Sequence, residues 1–92
     1  MMKPWKVEFK PTAFKELKNL DRKIQNQIFQ FFDRLAQTHD SPRSIGRDLQ
    51  GEHKGFWRYR AGGYRIICEI QDHKLIILVL DAGHRKEVYI TH

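Results

Sequence analysis

The sequence predicts an α+β fold: two N-terminal helices packed on a twisted antiparallel sheet of about four strands. Three observations lead there. Apolar residues recur every three to four positions between Ala13 and Leu35, they alternate with polar ones at Trp5 to Phe9 and again from Trp57, and the later alternating segments are joined by short turns. Helical periodicity followed by strands in hairpin order places the helices on one side of an antiparallel sheet.

Each element has its own signal. Trp5, Val7 and Phe9 alternate with Lys6 and Glu8, the pattern of a half-buried strand, and Pro11 closes it. Thr12 is a suitable N-cap for a short helix in which Ala13, Leu17 and Leu20 share a face. Asp21 is placed to cap a second helix, where Ile24, Ile28, Phe31, Phe32 and Leu35 form a broad apolar stripe. The helices form a hairpin that breaks near Asn19 to Asp21, and Lys15, Lys18, Lys23, Gln25 and Gln30 fall on its solvated outer face. Thr38 to Gly46 reads as a loop. Strands follow at Trp57 to Arg60, at Tyr64 to Ile70 and at Lys74 to Leu80. The last run is almost continuously aliphatic and is expected to be central and covered on both faces, with the first strand beside it.

Size and composition bound the function. The 92 residues make one domain, residues 1–92, with a small core. The formal charge of +6 favours an anionic partner. The lone Cys68 sits in an apolar run and reads as a small buried hydrophobe. The histidines His39, His53, His73, His84 and His92 are dispersed, without metal-ligand spacing, and Gly62 and Gly63 lie between strands rather than before a helix, so no metal and no cofactor is expected. No apolar run is long enough to span a bilayer, and a cytoplasmic location without membrane contact is expected.

The stretch Gly55 to Arg65 combines arginines, aromatic rings and glycines with no acid. Alternation places Trp57 and Tyr59 on one strand face, as core, and Arg58 and Arg60 on the other, with Arg65 just past the turn. Tyr64 belongs with Ile66 and Cys68 on the core side. A cationic face of this kind suits RNA, which carries its own nucleophile. The 2′-hydroxyl can attack the adjacent phosphate, provided that a base takes its proton, cations neutralise the growing charge and an acid protonates the leaving 5′-oxygen. Arginines bind phosphate oxygens through paired hydrogen bonds. His84 and Tyr89 are the side chains suited to proton transfer.

Leu49 to Gly51, Phe56 to Arg60, Gly63 to Ile67 and Gly83 to Tyr89 together resemble the RelE/ParE superfamily of toxins from bacterial and archaeal toxin–antitoxin pairs. The resemblance implies a helix pair on a twisted antiparallel sheet and a cognate antitoxin, RelB-like or another DNA-binding type, that wraps and neutralises the toxin. RelE-like members cleave mRNA in the ribosomal A site, beside rRNA; ParE-like members inhibit DNA gyrase instead. Basic residues at Arg58 and Arg60, arginines at Arg65 and Arg85 and a tyrosine at Tyr89 match the RelE branch. The expectation is a metal-independent endoribonuclease, with Arg65, His84, Arg85 and Tyr89 catalytic and Arg58 and Arg60 binding RNA and stabilising the transition state. A gyrase inhibitor and a non-enzymatic RNA- or DNA-binding corepressor are the alternatives. RelE itself carries lysines at the positions of Arg58 and Arg60. A guanidinium stays protonated, so these two are phosphate binders, and the base is His84 or Tyr89.

Overall fold

The computed structural model describes residues 5–37, 41–49 and 55–85, with the backbone alone for 83–85. Strand β1 (Lys6–Phe9) leads into helix α1 (Pro11–Lys18). The helix starts at Pro11, with extended Lys10 at its N-cap and no side-chain cap, so Thr12 lies inside the first turn. Proline is preorganised for that position, because its fixed φ is helical and the N–H that it lacks would have had no helical partner. Helix α2 (Arg22–Gln37) follows, and the Asp21 carbonyl accepts its first bond, from the Gln25 N–H, at 2.9 Å. Gln25 leaves the outer face assigned to it. Its Nε2 donates back to the carbonyls of Leu20 (2.7 Å) and Lys18 (3.1 Å), where α1 has run out of N–H donors.

A short 3-10 turn (Pro42–Ser44) and the two-residue strand β2 (Arg47–Asp48) precede β3 (Trp57–Ala61), β4 (Tyr64–Gln71) and β5 (Ile76–Arg85). The strands form one five-stranded sheet in the order β1-β5-β4-β3-β2. Four strands run antiparallel in series, whereas β1 pairs parallel to β5, Lys6 opposite Ile76 and Phe9 opposite Val79. The expected α+β layering and the place of the first strand beside the last both hold; the sheet is mixed and has one strand more. The parallel pairing follows from the crossover through both helices, which returns the chain to the same end of the sheet.

One face of the sheet is covered by the helices. Ala13 and Leu17 of α1 and Ile28, Phe32 and Leu35 of α2 meet Tyr59, Ile66, Cys68, Ile77, Val79 and Ala82 in a single core. Phe9 and Tyr59 lie edge-on to Phe32 at 6.1 and 5.8 Å. Aliphatic β5 has a strand on each edge, but among the described residues helices cover one of its faces only. Ile77 and Val79 are fully buried, while Ile76, Leu78 and Leu80 on the other side are half-buried. The opposite face of β3 and β4 is left for the arginines.

Candidate nucleic-acid interface and active site

The cationic face is built from strand register. Residues directly opposite in an antiparallel pair share a face. Arg60 of β3 stands opposite Arg65 of β4, and Arg65 stands opposite His84 of β5, so one row crosses three strands. The next row reads Arg47, Arg58, Ile67 and Asp81 across β2, β3, β4 and β5. Arg47 and Arg60 are exposed, and Arg58 and Arg65 half-buried. The expected division of β3 holds: Tyr59 is fully buried in the core, and Arg58 and Arg60 take the other face.

Two β-bulges shape the end of β5. The register shifts between Arg65 and Ile66 and between Ile67 and Cys68, leaving Gly83 and Leu80 as extra residues on β5. Bulges bend a strand and re-aim the residues beyond them. Between them the Ala82 N–H leaves the ladder and donates to the Glu16 carboxylate of α1 at 3.3 Å, tying the strand end to the helix layer. The bulge at Gly83 brings His84 level with Arg65. Arg85 falls one position further, opposite Tyr64, in the row that continues to Ala61. The register therefore groups Arg60, Arg65 and His84, sets Arg58 in the adjoining row and assigns Arg85 to the alternate one. Tyr89 lies outside the described residues.

The rings between the arginines do more than fill the core. Trp57 Nε1 donates to the Ile45 carbonyl at 2.7 Å, and the Tyr59 hydroxyl donates to the Pro42 carbonyl. Both hold the segment before β2 against β3. Burial pushes the Tyr59 phenol well above its ordinary range, so it remains a protonated donor. Gly46 makes this fit possible. Its φ is +87°, and a Cβ there would stand 2.5 Å from Trp57 Nε1 and 2.6 Å from the Arg58 carbonyl. Arg43 adds a third tie, its Nη1 and Nη2 meeting Asp72 Oδ1 and Oδ2 at 2.9 Å each. That bond holds the Asp72 carboxyl below the usual carboxylate range. Cys68 is fully buried, and burial raises its thiol pKa, which suits the expected apolar role.

Arg47 is the residue that motif reading misses. It lies on a two-residue strand whose neighbours Ile45, Gly46 and Asp48 show no strand alternation, so only pairing with β3 reveals its face. Among the described residues no group of three or more His, Cys, Asp or Glu is placed to hold a metal ion.

Comparison with known proteins agrees with the fold. Toxin RelG of Mycobacterium tuberculosis is 30% identical over 87 residues, spanning 94% of this chain and 97% of its own. The mRNA interferase toxin RelE of Escherichia coli K12 is 28% identical over 86 residues, spanning 90% and 87%. Among solved structures, the toxin–antitoxin complex RelBE2 from Mycobacterium tuberculosis contains a similar chain, with a TM-score of 0.78, 30% identity and coverage of 92% and 95%. A mutant E. coli toxin RelE in the free state is similar at a TM-score of 0.70 and 25% identity, covering 92% and 90%. Fold and relatives define the class, a RelE-like toxin of a type II toxin–antitoxin system. More particularly, the chain belongs to the family described as the ParE toxin of the type II toxin–antitoxin system parDE, which matches residues 7–89.

Proposed function

We propose that the chain is a ribosome-dependent mRNA endonuclease that inhibits translation in the cytoplasm, held in check by a cognate antitoxin. The observation that carries this reading is the row Arg60, Arg65 and His84 across β3, β4 and β5, with Arg58 adjoining. A relative of similar length bears the name mRNA interferase, which supports the same chemistry. The solved complex containing a similar chain pairs toxin with antitoxin, which supports the partner.

The reaction needs no outside nucleophile. The 2′-oxygen attacks the adjacent phosphorus, a new P–O2′ bond forms, and the P–O5′ bond breaks. The products are a 2′,3′-cyclic phosphate and a 5′-hydroxyl. His84 or Tyr89 takes the 2′-proton, and a proton returns to the departing 5′-oxygen. Arg65, with Arg58 and Arg60, neutralises the phosphate oxygens as charge accumulates. Because this acid–base set is sparse, in-line placement of the RNA by the ribosome supplies much of the acceleration.

The family description favours a second reading, inhibition of DNA gyrase through a protein–protein contact. One experiment separates them. Purified toxin is added to programmed ribosomes and the mRNA 5′ ends are mapped, while gyrase supercoiling is assayed in parallel. Cleavage within the A-site codon is expected. Blocked supercoiling without cleavage at any concentration would establish the second reading instead.

A further inference from the structure

We infer that Arg47 extends the cationic face beyond Arg58 and forms a second phosphate subsite, which takes a phosphodiester neighbouring the scissile one on the same RNA strand. This rests on reading the cationic face as an RNA surface.

Three observations carry it. First, Arg47 lies directly opposite Arg58 on the same sheet face, while Asp48 pairs with Trp57 in the alternate row. Asp48 therefore stays off the face that carries Arg47, and the acid of its row, Asp81, lies three strands away on β5. Second, a cavity of about 440 Å³ borders Arg47 at the edge of β3, lined by Gly46, Arg58, Arg60 and Ile45 and by Phe31 and Tyr59 from the core side, with no carboxylate in its lining. The exposed Arg47 guanidinium can offer a phosphate paired hydrogen bonds. Third, the backbone that presents Arg47 is fixed. The Trp57 and Tyr59 bonds to Ile45 and Pro42 hold the preceding segment, and Gly46 admits the close approach. A preorganised cation loses little freedom on binding. Arg47 stands two strands across from Arg65 and two residues along, about 12 Å at ordinary strand spacing and rise. The subsite is therefore beside the candidate scissile position and separate from it. A single strand laid from β5 toward β2 would meet His84 and Arg65 first and Arg47 last.

The test measures binding and cleavage separately. A short 2′-O-methyl oligoribonucleotide, which cannot cleave itself, is titrated by fluorescence anisotropy with wild type, R47A, R47K and R47E across a potassium chloride series. The same proteins are assayed for KM and kcat on programmed ribosomes. R47A is expected to bind about tenfold more weakly. Its plot of log affinity against log salt should be shallower by about 0.7, one phosphate contact on a single strand. Its KM should rise by a similar factor with kcat nearly unchanged, R47K should recover the salt slope, and R47E should bind more weakly than R47A. Equal affinity and slope for R47A and wild type would overturn the subsite, as would failure of wild type to bind the oligonucleotide. If wild type does not cleave but R47A still loses affinity and slope, the nuclease reading fails and the phosphate subsite stands.

Discussion

Arg60 and Arg65 face each other directly across the β3–β4 hairpin, one cation opposite another. Like charges at opposed strand positions destabilise a sheet by up to about 1 kcal/mol. A phosphodiester bound beside them would offset part of that cost.

Arg60→Thr should separate the two effects. Removing the exposed cation and adding a β-branched residue is expected to leave stability unchanged or raise it by a few tenths of a kcal/mol. Cleavage on programmed ribosomes should fall by about 10²-fold, the usual cost of losing one transition-state donor. Thermal melts and 5′-end mapping on the same preparation test this; a large loss of stability would mark Arg60 as structural.

His84→Ala should change the shape of the pH profile. A general base works as neutral imidazole, so wild-type cleavage should rise with pH as the imidazole loses its proton and then level. The variant should be slower and flat through that range. An unchanged rise near neutrality would exclude His84 and leave Tyr89 as the base.

Gly46→Ala and Gly63→Ala make a matched pair. Both glycines have positive φ, +87° and +81°, but a Cβ at Gly46 collides with Trp57 and the Arg58 backbone, whereas at Gly63 nothing lies within 4 Å. The Gly63 variant should cost about 1 kcal/mol, from backbone conformation alone. The Gly46 variant should cost about 2–4 kcal/mol and weaken RNA binding through Arg47. Equal losses in denaturant titrations would show that the segment before β2 shifts freely.

Tyr59→Phe tests the tie to Pro42. The ring stays, with its edge contacts to Phe31 at 5.4 Å and Phe32 at 5.8 Å, but the buried Pro42 carbonyl loses its donor. The expected cost is about 1–3 kcal/mol in denaturant melts.

Asp72→Asn gives a pH-dependent effect of known sign. The Arg43 fork lowers the carboxyl pKa in the folded state, so its stabilisation is present above the unfolded value of about 3.9 and fades as pH falls through the folded one. The partners are 42% and 62% exposed. After screening the bridge is therefore worth about 1 kcal/mol or less. The difference between wild type and variant should be visible at pH 7, shrink in salt, and close once the pH has fallen through the lowered pKa of the folded carboxyl. A constant difference down to that pH would assign the effect to something other than ionisation.

Patterns that repeat were legible in the sequence; relationships between distant segments were not. The stripe containing Ile28, Phe32 and Leu35 named the buried face of α2, and alternation separated Tyr59 from Arg58 and Arg60. Both are consequences of fixed helical and strand periods. The same alternation at Val7 and Phe9 announced a strand without its direction, so the parallel pairing with β5 was missed. Helix capping was half legible: Asp21 sits where expected, while Pro11 displaced Thr12 by supplying a preorganised first residue. In the candidate site, the motif residues Arg58, Arg60, Arg65 and His84 meet through register. Arg47 has no motif, and it joins them only because Trp57 and Tyr59 spend their polar ends on the loop that precedes it.

The pairing of β1 with β5 has a consequence for synthesis. Lys6 finds its strand partner in Ile76, which follows both helices and strands β2, β3 and β4. Contacts this distant in sequence slow folding, because the intervening loop must close before they form. β5 also joins β1 to the rest of the sheet and carries His84 into the arginine row. A nascent chain therefore lacks both the completed sheet and the row that sets Arg65 opposite His84 until β5 is made.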